Sequence, residues 1–105
     1  MLQVGLIGYN RQFILVNLHK ILDRIDSKEE IIYRSDSKII TKTAVYFILD
    51  GLTSIYGLHL DQIFICDDWR KRVYEVHKKE VEHALLAVHN SCVPVEFQVQ
   101  EIILE

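Results

Sequence analysis

The sequence contains little proline and little glycine, with one proline and four glycines in 105 residues. Disordered tails and linkers are usually rich in such residues, whereas half of this chain is hydrophobic. This composition predicts a chain that is folded from end to end. The length suits one domain with one substantial core, so we expect a single domain over residues 1–105.

A basic stripe is also missing, because 12 basic and 15 acidic residues are mixed along the chain and give a net charge of −3. Nucleic-acid binding usually needs such a stripe, since neutralising phosphates supplies much of the affinity. The densest basic segment, Arg70-Lys71-Arg72, is followed by Glu75 within the same predicted helix, which is typical of a solvated helix face. We therefore do not expect free nucleic acid as a ligand.

Long apolar runs and a signal-peptide pattern are absent as well. A membrane-spanning helix needs roughly 18–20 apolar residues, and no run approaches that length. The two cysteines, Cys66 and Cys92, are too few for a disulfide framework. We expect a cytoplasmic protein without membrane contact, in which these two thiols are reduced and never bonded to each other.

The hydrophobic pattern predicts an α/β domain with the order β-α-β-β-β-α-β. Short apolar or β-branched runs predict the strands, and apolar spacings of three and four predict the helices. A helix that follows a strand and leads to another strand favours a largely parallel sheet, here of about five strands with a hairpin and two main helices. The predicted strands are Leu2–Ile7, Ile31–Arg34, Ile39–Leu49, Gln62–Cys66 and an edge strand from Val95; the predicted helices are Asn10–Ile25 and a long helix from the Asp67-Asp68 pair to about Cys92.

The first candidate site is the turn from the first strand into the first helix, which contains Gly8, Asn10 and Arg11. Free amides at a helix N-terminus can bind an anion, Gly8 lets the backbone approach a phosphate, and Arg11 adds positive charge. The turn lacks the lysine and the serine or threonine of a phosphate-binding loop. The simpler alternative is a tight turn in which Asn10 caps the helix.

The second candidate site is the acidic pair Asp67-Asp68, which follows the buried strand Gln62–Cys66. The carboxyl ends of parallel strands face the ligand crevice of such sheets, and carboxylates there often hold Mg²⁺. In the alternative interpretation, Asp67 or Asp68 caps the long helix. The neighbouring carboxylate should raise the pKa of the Cys66 thiol, which argues against a nucleophilic cysteine.

The segment from Ile31 to Asp68 contains a hairpin, a glycine loop, and the lead-in Gly57-Leu-His-Leu-Asp61 before a strand that ends in Asp67-Asp68. In these features it resembles part of phage terminase-type packaging ATPases. The resemblance implies that Asp67 is the Walker B metal acid and that Asp68 occupies the place of the catalytic glutamate. The chain departs from that pattern in having no Walker A lysine and an aspartate at 68, and both departures argue against hydrolysis.

Two functions therefore stay open. The first is a small non-enzymatic interaction domain, of the kind a bacteriophage encodes, that binds a partner protein or forms a homo-oligomer without a cofactor. Aromatic residues dominate interface hot spots, so the expected anchors are Tyr9, Tyr56, Trp69 and Tyr74. The second is a degenerate P-loop-like domain that binds a nucleotide with Mg²⁺ through the Gly8–Arg11 turn and the acidic pair.

Overall fold

The computed structural model describes residues 2–25, 29–51, 55, 57–89 and 99–103. Within these ranges the chain forms six strands and four α-helices, with a π-helical turn between the last two helices. The strands are β1 Leu2–Ile7, β2 Ile31–Arg34, β3 Lys38–Thr41, β4 Ala44–Leu49, β5 Gln62–Cys66 and β6 Val99–Ile102; the helices are α1 Arg11–Val16, α2 Leu18–Arg24, α3 Asp67–Trp69 and α4 Lys78–Val88; the π-helical turn is Arg70–Tyr74.

The six strands form one mixed sheet in the order β2-β3-β4-β1-β5-β6. The four strands β4, β1, β5 and β6 run parallel, and β2 and β3 complete the sheet as an antiparallel hairpin beside β4. The predicted α/β class with a largely parallel sheet and a hairpin is therefore confirmed. β6 lies at one edge of the sheet, as predicted, although the first part of the predicted strand, residues 95–98, lies outside the described residues.

Each face of the sheet carries a hydrophobic core, because inward-facing residues alternate along the buried strands. Val4 and Leu6 of β1 pack on the side of α1 and α2, whereas Ile7 packs on the side of α4. No helix in the described ranges is both long enough and apolar enough to span a membrane.

The predicted strand Ile39–Leu49 is two strands, β3 and β4, joined by a tight turn at residues 42–43. The Thr41 hydroxyl holds this turn, since it accepts a hydrogen bond from Ala44 N–H (3.3 Å) and lies 3.4 Å from the Ala44 carbonyl oxygen. Glu29 Oε2 accepts hydrogen bonds from the Thr43 amide (3.1 Å) and hydroxyl (2.7 Å). The polar run Thr41-Lys42-Thr43 marks this turn in the sequence, although the β-branched residues on either side of it favoured one continuous strand.

The predicted helix Asn10–Ile25 is broken at Asn17, which ends α1 and precedes α2. The side-chain amide of Asn17 donates to the Phe13 carbonyl oxygen (2.9 Å), the same oxygen that accepts from the Asn17 backbone N–H (3.1 Å). Asparagine side chains compete in this way with the regular hydrogen bonds of a helix. The apolar spacing nevertheless continues, because Ile14, Leu18 and Ile21 all reach the same core.

The predicted long helix after Asp67-Asp68 is also interrupted. The Glu75 amide donates to the Arg70 carbonyl oxygen at 2.9 Å, which is the wider spacing of a π-helical turn, and α4 begins only after His77. The helix ends at Val88, because His89 has an extended backbone and forms a β-bridge with Leu60. The predicted helix to about Cys92 is therefore too long at this end, and Cys92 itself lies outside the described residues.

Candidate functional site

The ends of three parallel strands bring the two predicted sites to one edge of the sheet. Ile7 of β1 lies opposite Leu49 of β4 on one side and opposite Ile65 of β5 on the other. The residues that follow these strands are therefore neighbours: Gly8 to Arg11 after β1, Asp50 after β4, and the Asp67-Asp68 pair directly after β5. We call this region the carboxyl edge.

Gly8 is a packing residue of this edge. Its amide donates to the Leu49 carbonyl oxygen at 3.0 Å, which ties the turn to β4. A Cβ at this position would lie 2.8 Å from Ile14 Cγ1 and 2.9 Å from Ile14 Cδ1. Only glycine leaves room for the Ile14 side chain, so close packing of α1 accounts for this residue without a bound phosphate.

Asn10 caps α1, as the simpler interpretation of the turn predicts. It has an extended backbone, and its Oδ1 accepts a hydrogen bond from the Gln12 amide at 2.8 Å. This contact satisfies one of the free amides at the helix start. The Asn10 side chain therefore occupies the Gln12 amide that an anion at the helix start would otherwise bind.

Arg11 faces Asp50 rather than open solvent. Its Nη2 lies 3.5 Å from Asp50 Oδ1, in a pair whose side chains are 32% and 44% exposed. The Arg11 Nε is buried and has no hydrogen-bond partner among the described residues. A half-exposed pair of this kind contributes little stability, typically about 0–1 kcal/mol, but it fixes the direction of the guanidinium group.

Tyr9 and Arg72 meet across the carboxyl edge. The Arg72 guanidinium carbon lies 4.9 Å from the centroid of the Tyr9 ring, within the range of a cation–π contact. Tyr9 is still 51% exposed, and its role as an anchor stays a prediction. The π-helical turn thereby contacts the β1–α1 turn, a contact that the sequence pattern did not predict.

The acidic pair occupies the first turn of α3, where both carboxylates are half-buried. Asp68 Oδ1 accepts a hydrogen bond from the neighbouring Trp69 amide at 2.7 Å. The N-cap position itself is Cys66, whose side chain forms no capping hydrogen bond. The expected capping role is therefore corrected in detail: Asp68 satisfies an amide from within the turn, and neither aspartate is the N-cap residue.

Cys66 is not a nucleophile. Burial, followed by the charges of Asp68 and Asp67, raises the pKa of its thiol to about 12, in the direction that the sequence predicts. Its side chain belongs to the core, and the residue carries a free thiol. A thiol that stays protonated at neutral pH serves as a small apolar side chain.

The predicted aromatic anchors differ in exposure. Trp69 is only 1% exposed and belongs to the core, which corrects the expectation of an exposed anchor at that position. Its ring meets Tyr74 edge-on, with centroids 6.3 Å apart, and the Tyr74 hydroxyl donates to Glu82 Oε1 at 3.1 Å. Tyr74 is half-buried, and Tyr56 lies outside the described residues.

Arg70 joins the π-helical turn to the edge strand β6. Its guanidinium forms ion pairs with Glu75 and with Glu101, the latter at 2.6 Å between Arg70 Nε and Glu101 Oε1. These contacts raise the pKa of Arg70 further above its ordinary value, chiefly through the hydrogen bond to Glu101. The sequence pattern predicted a solvated face for this arginine, whereas the structure shows that it holds two elements together.

The carboxyl edge carries more carboxylates than arginines, and its polar groups largely engage one another. In the described part of the chain, no group of three or more histidine, cysteine, aspartate or glutamate side chains is placed to hold a metal ion. A cation at Asp67 or Asp68 would thus depend on water or on a phosphate for most of its ligands. Asp50 and Arg72 complete this edge, and neither was identified as a site residue from the sequence.

No protein-family model matches this chain, and no curated protein matches it. Among solved structures, the fold is similar to that of the large terminase from a thermophilic bacteriophage, which was determined in complex with ADP. The TM-score is 0.53 at 10% sequence identity, and the similarity covers 98% of this chain and 32% of the terminase chain. This chain thus spans about a third of the length of that protein.

A similarity at 10% identity concerns the fold alone. It extends the terminase-like resemblance, which rested on residues 31–68 of the sequence, to the fold of nearly the whole chain. The assignment of Asp67 as a Walker B acid and of Asp68 in the place of a catalytic glutamate stays a prediction.

Proposed function

We propose that this chain is a phage-encoded, non-enzymatic interaction module with a terminase-like fold, which binds a partner protein or a second copy of itself. The phage origin is inferred from the fold similarity to the bacteriophage large terminase. The observation that carries the proposal is the β1–α1 turn, whose side chains contact other parts of the protein. Asn10 caps α1, Arg11 pairs with Asp50, and Arg72 lies over Tyr9.

A phosphate group at this turn would have to replace those contacts. The turn from Gly8 to Arg11 contains no lysine that could recruit a phosphate, and Gly8 is accounted for by its packing on Ile14. The absence of a complete catalytic motif in the sequence agrees with this interpretation. These observations favour a scaffold that has kept the fold without the chemistry.

Exposed apolar side chains support a role in protein binding, because large apolar and aromatic groups supply most of the energy of interfaces. Their exposed fractions range from 51% to 80%, so each offers substantial area to a partner. They lie on several elements: Tyr9 before α1, Val16 on α1, Ile32 and Tyr33 on β2, Val76 before α4, Leu86 on α4 and Ile103 after β6. The expectation of a homo-oligomer, based on the predicted edge strand Val95–Leu104, also belongs to this proposal.

A thermal-shift experiment with Mg²⁺-ATP and Mg²⁺-GTP tests the proposal. A ligand at 100 times its dissociation constant stabilises a protein by roughly 2.7 kcal/mol, which corresponds to several degrees in a domain of this size. We expect no stabilisation by either nucleotide, and we expect light scattering to detect self-association at high protein concentration. A monodisperse 12.3 kDa species would remove self-binding and leave binding to a different protein.

Nucleotide binding is the second candidate, favoured by the adjacency of the two sites. The Gly8–Arg11 turn and Asp67-Asp68 follow neighbouring parallel strands, as a phosphate site with a Mg²⁺ ligand requires. This function predicts a nucleotide-dependent stabilisation that needs Mg²⁺ and is lost in Arg11→Ala and Asp67→Ala. Asp36→Ala, which removes an exposed carboxylate from the β2–β3 turn, is the matched control and should retain it.

A further inference from the structure

The π-helical turn Arg70–Tyr74 contacts two edges of the sheet at once. At the carboxyl edge, Arg72 lies over the ring of Tyr9, with 4.9 Å between the guanidinium carbon and the ring centroid. At the side of the sheet, Arg70 pairs with Glu101 of β6, with 2.6 Å between Arg70 Nε and Glu101 Oε1. π-Helical turns are rare, and they occur frequently at functional sites. A change in this turn would therefore reach both edges.

Two side-chain contacts in this region are suited to the wider spacing of the π-helical turn. Arg70 forms an ion pair with Glu75, and the ring of Trp69 meets that of Tyr74 edge-on. The members of each pair are five residues apart, and residues five apart on an α-helix point about 140° away from each other. Neighbours on an α-helix are instead three and four residues apart. Both contacts would therefore be lost if the turn became α-helical.

An α-helical register of the same residues has contacts of its own. Trp69, Val73 and Val76 are spaced four and three residues apart, which places them on one face of an α-helix. In the structure Val76 is instead 67% exposed, although Trp69 is 1% exposed and Val73 packs against the same core. Glu75 would also gain a partner, because it follows Arg72 by three residues. The α-helical register thus offers burial to an exposed valine and a new ion pair to a glutamate.

A non-helical residue allows this turn to change its register without moving α4. His77 has φ −120° and ψ 44°, outside the helical range, and α4 begins after it. The position of α4 is fixed, because Val81, Ala84 and Leu85 are 0% exposed. On the other side, α3 is held by its buried tryptophan. A change of register is therefore confined to residues 70–76.

We propose that the π-helical turn is a two-state switch that couples β6 to the carboxyl edge. In its π state, the carboxylates of Glu75 and Glu101 hold the Arg70 guanidinium. In the same state Arg72 lies over Tyr9. In its α state the turn closes with one residue fewer, so the residues after Arg70 rotate about the helix axis by up to about 100°. That rotation takes Arg72 away from Tyr9 and towards Glu75.

Glu101 stabilises the π state, because it binds the same guanidinium group that binds Glu75. A ligand that draws Glu101 away from Arg70 therefore shifts the turn towards the α state and uncovers the Tyr9 ring. Coupling between two sites is reciprocal, so a ligand that takes the place of Arg72 on Tyr9 loosens Arg70 by the same factor. The switch operates whichever partner binds, and in this respect it goes beyond the proposed function.

NMR signals of Arg72 measure the state of the turn at the carboxyl edge, because a group over an aromatic ring is shifted upfield by the ring current. Comparison with Tyr9→Leu identifies the shifted signals. We expect Glu101→Gln to move them towards their Tyr9→Leu positions, with the ratio of the two states changed by about fivefold or more. Glu80→Gln, which removes an exposed carboxylate from α4, is the matched control and should leave the signals unchanged.

The reverse experiment measures hydrogen exchange at Arg70. Tyr9→Leu should speed the exchange of the Arg70 Nε proton by a similar factor, because the turn then spends more time in the α state, where Arg70 has lost Glu75. Tyr33→Leu is the matched control, since Tyr33 is also 51% exposed but lies on β2, at the opposite side of the sheet from β6. This control should leave the exchange rate unchanged.

Val76 distinguishes a switch between two registers from a general loosening of the turn. Glutamine at this position remains in water in the π state, where the side chain is 67% exposed, but it would be buried in the α state. Burial of an unpaired polar group is costly. Val76→Gln, added to Glu101→Gln, should therefore return the Arg72 signals towards their wild-type positions. Val76→Leu is the matched control, because it keeps an apolar side chain and should not restore them.

Arg72 signals that stay at their wild-type positions in Glu101→Gln would overturn the switch. A failure of Val76→Gln to restore these signals would overturn it as well, because the second state would then not be the α-helical register. If Glu101→Gln does not fold, the exchange experiment decides, and an unchanged rate at Arg70 in Tyr9→Leu refutes the coupling.

Discussion

Replacement of Gly8 by alanine tests whether the β1–α1 turn is built for packing. The new Cβ would lie 2.8 Å from Ile14 Cγ1 and 2.9 Å from Ile14 Cδ1, and contacts this short force one group to move. Ile14 is 0% exposed, so its side chain has no solvent-filled space into which it can turn. We expect the free energy of unfolding to fall by about 1–3 kcal/mol, the usual effect of overpacking a core.

Thermal unfolding followed by circular dichroism, without any ligand, measures this loss. In a domain of this size each kcal/mol corresponds to roughly 4–8 °C in Tm. Gly51→Ala is the matched control, because no described residue lies within 4 Å of a Cβ at that position and its φ is not in the left-handed region. We expect this variant to remain within about 0.5 kcal/mol of the wild type.

A double-mutant cycle with Ile14→Ala identifies the atoms responsible. That change alone should cost about 2–5 kcal/mol by leaving a cavity, but it also removes the atoms that the new Cβ would meet. The double variant should therefore lose at least about 1 kcal/mol less than the sum of the single variants. Additive losses, or a Gly8→Ala variant as stable as Gly51→Ala, would refute the reasoning and make Gly8 a phosphate-binding candidate again.

Three further measurements test other parts of the structure. Asp68→Ala should lower the free energy of unfolding by about 1 kcal/mol, because it leaves the Trp69 amide without its acceptor, and Asp67→Ala should have a smaller effect; a Mg²⁺-dependent stabilisation that Asp67→Ala abolishes would contradict this. Burial lowers the pKa of His89 below 6.5, so protonation of this histidine favours the unfolded chain, and the stability present above about pH 6.5 should decline as the pH falls. In urea unfolding between about pH 8 and pH 5, His89→Gln should show a shallower decline than the wild type. An unchanged profile in His89→Gln would be evidence against this role of His89. Thiol titration of the denatured protein should find Cys66 and Cys92 both free, and an intrachain crosslink between them would be the contrary result.

The sequence predicted the element types and the parallel core of the sheet, because buried strands and amphipathic helices have different hydrophobic periods. It did not predict the breaks within those elements. Asn17 ends α1 through a side-chain hydrogen bond to Phe13, and residues 42–43 turn β3 into β4 through Thr41. The apolar spacing of the helix continues across Asn17, so only the local polar contact reveals that break, whereas the polar run Thr41-Lys42-Thr43 marks the turn in the sequence.

The sequence predicted where the candidate site lies, but not which of its groups already have partners within the chain. Two neighbouring strand ends could be identified as one edge from the order of strands and crossovers, and the pairing of β1 with β5 confirms that adjacency. The partners of Arg11 and Tyr9 could not be identified, since Asp50 and Arg72 are far away in the chain. The residue types show which groups can donate or accept hydrogen bonds, whereas the fold determines which donor meets which acceptor.

The two candidate functions differ in whether the groups that they need already have partners within the chain. At the carboxyl edge, where α/β sheets usually bind small ligands, the amide of α1 has its cap, Arg11 has Asp50 and Tyr9 has Arg72. At β2 the situation is reversed, because the strand edge is open, the apolar residue Ile32 is unpaired and the charge of Glu30 is uncompensated in the described residues. A small ligand would have to displace contacts at the first location, whereas a second polypeptide would complete them at the second. The open edge of β2 and its exposed apolar residues therefore favour the proposed binding of a protein partner, although the buried Arg11 Nε at the carboxyl edge also lacks a partner among the described residues.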